Sequence, residues 1–176
     1  MIYRTDDVDH RTDIGTLAQV HELFLAKEKI QTMSIVCGLI EQNPSVIGYI
    51  KNTPNWDLQI HGFVHDNYSQ ETSRRIESDL VACLDVMDRV FQIKPTRWYL
   101  PWNGWVAGHG FDLVPRVAKI AKRYGVEVDY DCIYIGHFLA GQSGDPKFAK
   151  DAQKTTVYFH LWDQKDVDLV PRLLEF

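Results

Sequence analysis

The sequence is poor in cysteine, and its cysteines are not paired. Cys37, Cys83 and Cys132 lie far apart in a chain of 176 residues and form no CxxC motif. This spacing indicates neither a zinc knuckle nor a disulfide framework. Because the neighbours of all three are apolar, we expect buried free thiols without a role in the chemistry.

Long apolar runs and a basic composition are also lacking. No apolar run approaches the length of a membrane span, and the N-terminus "MIYRTDDVD" lacks the charged and apolar regions of a signal peptide. The net charge of -5 and the scattered basic residues argue against nucleic acid as a partner. We therefore expect a cytoplasmic protein that binds neither membranes nor nucleic acid. A signal removed from a longer precursor stays open, and the oligomeric state is unknown.

What the sequence does contain is an alternation of short apolar segments with segments of helical periodicity. The length suits one domain covering residues 1–176. Strands are predicted at "MIYRT", "TMSIVC", "DLQIH", "RWYL", "VEVDYDCIYI" and "TTVYFHLW". Helices are predicted at about 14–29, from Pro44, from an N-cap at Ser69 to Phe91, at about 112–124 with a stop at Gly125, and at about 167–174. This order predicts an α/β fold with a mostly parallel sheet covered by helices.

Polar side chains recur where the predicted strands end. In parallel α/β folds, ligands bind at the carboxyl ends of the strands, so these residues are the candidates for a site. Along the chain they are Asp6 and Asp7, His61 and His65, the segment "LPWNGW", Asp129 and Asp131, and His160.

The first two of these groups favour a metal site. Adjacent carboxylates are costly unless a positive charge separates their roles, which a divalent cation does if it binds Asp7 and leaves Asp6 free as a base. His61 and His65 add two nitrogen ligands, and such a set suits zinc, with cobalt, nickel or another divalent ion as alternatives. Each feature also has an ordinary explanation, namely solvated loop histidines, a helix-capping aspartate or a buried His160 bonded to a carbonyl. Their recurrence at successive strand ends favours the site.

The ordered set of motifs resembles the polysaccharide deacetylase or NodB-homology family, the family-four carbohydrate esterases. "YRTDDVD" is similar to the first motif of that family and "HGFVH" to its H-(S/T/G)-x-x-H motif. "KPTRWYLPWNG" is similar to the third motif and "VYFHLWD" to the last one. The resemblance covers nearly the whole chain.

The resemblance implies a distorted, incomplete (β/α) barrel that removes N-acetyl or O-acetyl groups from a sugar, with a metal-bound water as nucleophile. It implies Asp6 as general base and His160 as general acid. It implies a metal bound by Asp7, His61 and His65. The backbone near Trp102 would bind the oxyanion, and Pro101 and Asn103 belong to the same segment. Trp102 and Trp105 are candidate sugar contacts, and Asn103 either binds the substrate or shapes a turn.

Three positions depart from the family pattern. Tyr99 stands where an arginine normally orients the base, and Arg97 either replaces that arginine or is a surface strand residue. Val8 stands in place of a glycine. Asp129 or Asp131 could tune the acid His160, whereas Asp163 either does so or caps the last helix. Two other functions therefore stay open: hydrolysis of another small amide, such as a ureide or cyclic imide, and non-catalytic carbohydrate binding.

Overall fold

Parallel strands and connecting helices alternate along the chain. The computed structural model describes residues 1–68, 70–104, 113–129, 132–141 and 156–176. The strands are β1 Ile2–Val8, β2 Gln31–Val36, β3 Trp56–Gly62, β4 Arg97–Tyr99, β5 Glu127–Asp129, β6 Cys132–Tyr134 and β7 Thr156–His160. The helices are α1 Ile14–Ala26, α2 Cys37–Ile40, α3 Pro44–Asn52, α4 Ser73–Val86, α5 Leu113–Lys122, α6 Ile135–Gly141 and α7 Gln164–Leu173. A π-helical turn at Met87–Phe91 extends α4, and a 3-10 turn at Pro101–Gly104 follows β4.

The sheet has the order β5-β4-β3-β2-β1-β7-β6, and its paired strands are parallel. The two edge strands, β5 and β6, are consecutive in the chain, with only residues 130 and 131 between them. Three peptide steps span at most about 11 Å, so the two edges must come close together. The hydroxyl of Thr156 on β7 donates a hydrogen bond of 3.2 Å to Asp129 on β5 across this gap. The sheet is thus a curled half-barrel, which confirms the predicted incomplete (β/α) barrel.

One strand prediction is corrected by this topology. The segment "VEVDYDCIYI" was predicted as a single strand, but it forms β5 and β6 at opposite edges of the sheet. Alternating apolar residues are equally compatible with one long strand or with two short strands. The two arrangements differ only in their strand pairing, and here β5 pairs with β4 while β6 pairs with β7.

The core lies between the sheet and its helices. Every residue of β2 is buried, as expected for a strand with neighbours on both sides. Helix α1 buries Leu17, Val20 and Phe24 at helical spacing, and α4 buries Ile76 and Leu80 in the same way. Among the described residues, no helix has both the length and the apolar content to cross a membrane.

The helix ends follow the predicted chemistry with two exceptions, of which the first is α7, which begins at Gln164 rather than near Val167. Asn43 caps α3, whose first residue is Pro44, and Gly125 adopts a φ of 73° after α5. Helix α4, however, begins at Ser73, and the side chain of Thr72 accepts its capping hydrogen bond. Ser69, the predicted cap, lies outside the described residues. A threonine three positions further on offers the same cap, which is why the sequence prediction began the helix too early.

Candidate active site

Asp6 and Asp7 point in different directions at the end of β1, where the strand is also irregular. The pairing of β1 with β2 shifts register between Thr5 and Val8, and Asp7 has a φ of 58°. Such a bulge turns the strand locally and re-aims its side chains. Asp6 stays in register opposite His160 on β7 and is 3% exposed, whereas Asp7 is turned toward β3 and is 14% exposed.

The turn after β3 brings the two histidines of "HGFVH" to the same point. Gly62 has a φ of 115°, and a Cβ atom there would lie 2.9 Å from the Tyr68 hydroxyl and 3.2 Å from Pro101. Only glycine fits this combination of backbone angle and space. The Tyr68 hydroxyl also accepts a hydrogen bond of 3.3 Å from the Phe63 amide, which holds the turn.

Asp7, His61 and His65 form a cluster that fits a divalent cation. The Nδ1 of His61 lies 2.8 Å from the Tyr99 carbonyl oxygen, so it donates its proton there and leaves Nε2 facing Asp7. The Nε2 atoms of His61 and His65 lie 3.1 Å and 2.9 Å from the same oxygen of Asp7, Oδ1. One ligand atom from each residue lies within 4.8 Å of the other two. Two neutral imidazoles and one carboxylate match the preferences of zinc and similar ions.

The electrostatics of Asp7 keep it ionised. Burial raises the pKa of Asp7, but the imidazoles of His61 and His65 beside it outweigh burial and hold this pKa far below its ordinary value. A carboxylate that stays ionised can act as a metal ligand over the whole physiological pH range.

The arginine that orients Asp6 comes from β1 itself. Arg4 Nε lies 2.6 Å from one Asp6 oxygen, and Nη2 donates a 2.7 Å hydrogen bond to the other. The Arg4 guanidinium also lies over the ring of Tyr99, 4.4 Å from its centroid. The sequence prediction left Arg97 open as either a replacement for this arginine or a surface strand residue, and Arg97 is half-buried near Tyr99, Asp57 and Asp129. Arg4 was not predicted as a site residue, although alternation along β1 puts Arg4 and Asp6 on one face.

His160 is held by an aspartate from α7. Asp166 Oδ2 lies 3.1 Å from His160 Nδ1 and accepts a 2.9 Å hydrogen bond from the His160 amide. Tyr134 on β6 donates to the other oxygen of this buried carboxylate. Burial lowers the pKa of His160, but the hydrogen bond to Asp166 and the charges of Asp6 and Asp7 outweigh it and raise this pKa.

Two of the other aspartates proposed for this role, Asp163 and Asp129, have different partners. Asp163 caps α7 by accepting a 3.0 Å hydrogen bond from the Lys165 amide, which was the alternative proposed for it. Asp129 accepts a hydrogen bond from Thr156, and Asp131 lies outside the described residues. Asp166 was not among the residues predicted for this role; it stands just before the predicted last helix and lies inside the observed α7.

A pocket of about 510 Å³ opens above the cluster. It is lined by Asp7, Asp9, Arg11, Thr12, Asp13, His65, Trp102, Leu161 and Trp162. Trp102 and Trp162 are 59% and 67% exposed, although most large apolar side chains of the described residues are buried. Pro101 is buried at the start of the 3-10 turn that carries Trp102 and Asn103, and Trp105 lies outside the described residues. Trp162 was not among the predicted site residues.

Three of the six non-glycine residues with a positive φ among the described residues line this pocket. Asp7, His65 and Trp102 have φ angles of 58°, 63° and 60°, in the left-handed region that side chains with a Cβ atom disfavour. Each such residue costs on the order of 1–2 kcal/mol. Strain that persists at several residues of one pocket is typical of functional sites.

Comparison with known proteins identifies one family and one fold for this chain. The sequence profile of the family described as polysaccharide deacetylase matches residues 17–128. A family 4 carbohydrate esterase from Streptomyces lividans, solved with acetate, is 12% identical with a TM-score of 0.72 over 99% of this chain and 85% of its own. Peptidoglycan deacetylase PdaC from Bacillus subtilis is 10% identical, with a TM-score of 0.68 over 99% and 80%.

Pseudoenzymes are among the similar structures too. A mutant of a family 4 pseudoenzyme, with restored enzymatic activity, is 15% identical with a TM-score of 0.70. This chain is covered to 99% in that alignment but spans only 61% of the other protein. A search of curated protein sequences finds no significant match. At these identities the structural matches show the fold alone.

Proposed function

The chain belongs to the polysaccharide deacetylase family, and on this premise we propose that it is a metal-dependent hydrolase that removes acetyl groups from an amino sugar or other carbohydrate. The observation that carries the proposal is the convergence of the cluster Asp7, His61 and His65 with the pair Asp6 and His160 at one end of the barrel. Asp6 and Asp7 lie on β1, and His160 lies on β7. His61 lies on β3, and His65 lies in the turn that follows β3.

The cluster supplies the cation site. Asp7, His61 and His65 would hold the ion, and a divalent cation there supplies a Lewis acid that polarises a carbonyl and lowers the pKa of water. Tyr99 fixes the tautomer of His61 through its carbonyl, so the imidazole does not need to reorient to bind.

Asp6 acts as the general base. Its two oxygens are fixed by Arg4, yet a carboxylate accepts about four hydrogen bonds, so lone pairs remain for a proton of the attacking water. The bidentate contact sets the direction of those lone pairs. Arg4 thereby acts as a positioning residue.

His160 acts as the general acid. Asp166 is hydrogen-bonded to Nδ1 of His160. The other ring nitrogen of His160, Nε2, faces Asp7 and lies 3.9 Å from its Oδ2. From there Nε2 can protonate a departing amine, which would otherwise be a poor leaving group. The backbone amide near Trp102 is the proposed donor to the oxyanion of the tetrahedral intermediate.

The test is a turnover assay with zinc-replete protein on three substrate classes: N-acetylglucosamine oligomers, an O-acetylated sugar and an allantoin-like amide. We expect acetate release from the first or second class, and loss of release in Asp6→Asn with zinc retained. Turnover of the ureide alone would replace the proposed substrate. Binding of the oligomer without turnover of any class would show a non-catalytic relative.

A further inference from the structure

Trp162 contacts the metal cluster although most of its surface is exposed. Its side chain is 67% exposed, and its Nε1–H donates a 3.2 Å hydrogen bond to Asp7 Oδ2. Its ring centroid lies 4.8 Å from that of His160, with the ring planes tilted by 38°. One side chain therefore touches both the cluster and the general acid.

The two oxygens of Asp7 have separate neighbours. Oδ1 faces the Nε2 atoms of His61 and His65, whereas Oδ2 accepts from Trp162. An indole N–H donates but has no lone pair for a cation, so Trp162 holds the carboxylate without competing as a ligand. Such outer contacts to a ligating side chain commonly contribute 10- to 100-fold to metal affinity.

The ring of Trp162 is available on the pocket side. Trp102 lines the same pocket and lies near His65, with ring centroids 5.5 Å apart. Trp102 follows β4 and Trp162 follows β7, and three strands of the sheet separate them. The two exposed indoles therefore flank the cluster on its two sides.

Exposed aromatic rings on both flanks of a polar pocket suit a sugar. The C–H face of a pyranose is weakly positive and packs on the negative face of an aromatic ring. The sugar hydroxyls can meanwhile reach polar groups of the pocket, such as Thr12 and the guanidinium of Arg11, which Asp9 fixes with a 2.6 Å contact.

We propose that Trp162 has two separable roles: its indole N–H holds Asp7 for cation binding, and its exposed ring is a stacking platform for the sugar that carries the acetyl group. The platform role rests on the proposed function, because that function makes the ligand a carbohydrate. The Asp7 role rests on the hydrogen bond alone.

Two substitutions separate the roles. Trp162→Phe keeps an aromatic face but loses the N–H, and Trp162→Ala loses both. Trp102→Phe and Trp102→Ala are the matched controls on the other flank. The Kd for Zn²⁺ is measured by competition with a chromophoric chelator. The Kd for an N-acetylglucosamine tetramer is measured by calorimetry in the zinc-loaded Asp6→Asn background, where the ligand is not consumed. Circular dichroism verifies folding of each variant.

We expect Trp162→Phe to weaken Zn²⁺ binding about 10-fold and to leave tetramer binding within about twofold, because the stacking face is kept. Trp162→Ala should weaken both. Trp102→Ala should weaken tetramer binding alone, and Trp102→Phe should change neither. Unchanged Zn²⁺ affinity in Trp162→Phe overturns the first role, and unchanged tetramer affinity in Trp162→Ala overturns the second.

Failure of this inference can be told from failure of the proposed function. If wild-type protein releases no acetate but the two affinities respond as expected, the catalytic proposal fails and the roles of Trp162 stand. If acetate is released while Trp162→Ala retains both affinities, the catalytic proposal stands and the inference fails.

Discussion

Arg4 and Asp6 form a buried bidentate ion pair two residues apart on one face of β1. The two contacts measure 2.6 Å and 2.7 Å, and the side chains are 1% and 3% exposed. A fully desolvated pair is held in one geometry, and removal of either member leaves a buried charge without compensation. The proposed general base, Asp6, is thus positioned by an arginine from its own strand.

Arg4→Met should destabilise the protein by about 3–5 kcal/mol, because Asp6 is left as an unpaired buried carboxylate. The double variant Arg4→Met with Asp6→Asn should recover part of that loss, since no charge remains. Urea denaturation followed by circular dichroism measures both. Additive losses in the double variant would contradict a direct interaction.

Asp7→Ala and His61→Ala should lose the bound cation, because each removes one of three ligands. Elemental analysis after dialysis measures the zinc content per chain. His10→Ala is the control, since His10 is exposed and does not belong to the cluster. A full equivalent of zinc in both cluster variants would refute the proposed ligand set.

Asp166→Asn should reduce hydrolysis of an N-acetyl sugar more than hydrolysis of an activated aryl acetate. The amide needs a proton from a correctly held His160, whereas the aryl oxide leaves without one. General acid catalysis contributes about 10²–10⁴-fold, so the amide should lose activity within that range. The ratio of kcat/KM values for the two substrates reports the difference.

Asp168→Asn is the matched control for that experiment. Asp168 lies on the same helix but is exposed and accepts a hydrogen bond from Gln164. Its substitution should leave both substrates unaffected. Equal losses on amide and ester in Asp166→Asn would indicate a purely structural role for Asp166.

Gly62→Ala should destabilise the protein by about 1–3 kcal/mol and weaken zinc binding, because its φ of 115° and the Tyr68 hydroxyl at 2.9 Å leave no place for a methyl group. Thermal unfolding with and without zinc measures both effects. Gly48→Ala is the control: it lies within α3 with nothing within 4 Å of the added atom. There alanine should stabilise by about 0.5–1 kcal/mol.

Much of the fold could be predicted from local sequence patterns. Three features could be predicted from neighbouring residues alone: the apolar periodicity of α1, the proline at the start of α3 and the glycine after α5. The division of "VEVDYDCIYI" into β5 and β6 depends instead on partners far away in the chain. No local signal distinguishes the two arrangements, so the prediction gave one strand.

The site residues likewise fall into two groups: those that sequence patterns predicted and those whose contacts depend on the folded structure. The histidines and paired aspartates were predicted to meet because parallel strands end at one edge, and Asp7, His61 and His65 do form a cluster. Arg4, Asp166 and Trp162 were not predicted as site residues. The contacts of Arg4 and Asp166 depend on β1 alternation and on how α7 packs beside β7, while Trp162 reaches Asp7 from the segment after β7.

The central position of β1 has a consequence for biosynthesis. This strand pairs with β2 on one side and with β7, residues 156–160, on the other. During translation β1 therefore keeps one unpaired edge until β7 has been synthesised. The proposed base and the proposed acid lie opposite each other on these two strands, so they become neighbours only once the late strand has docked beside the early one.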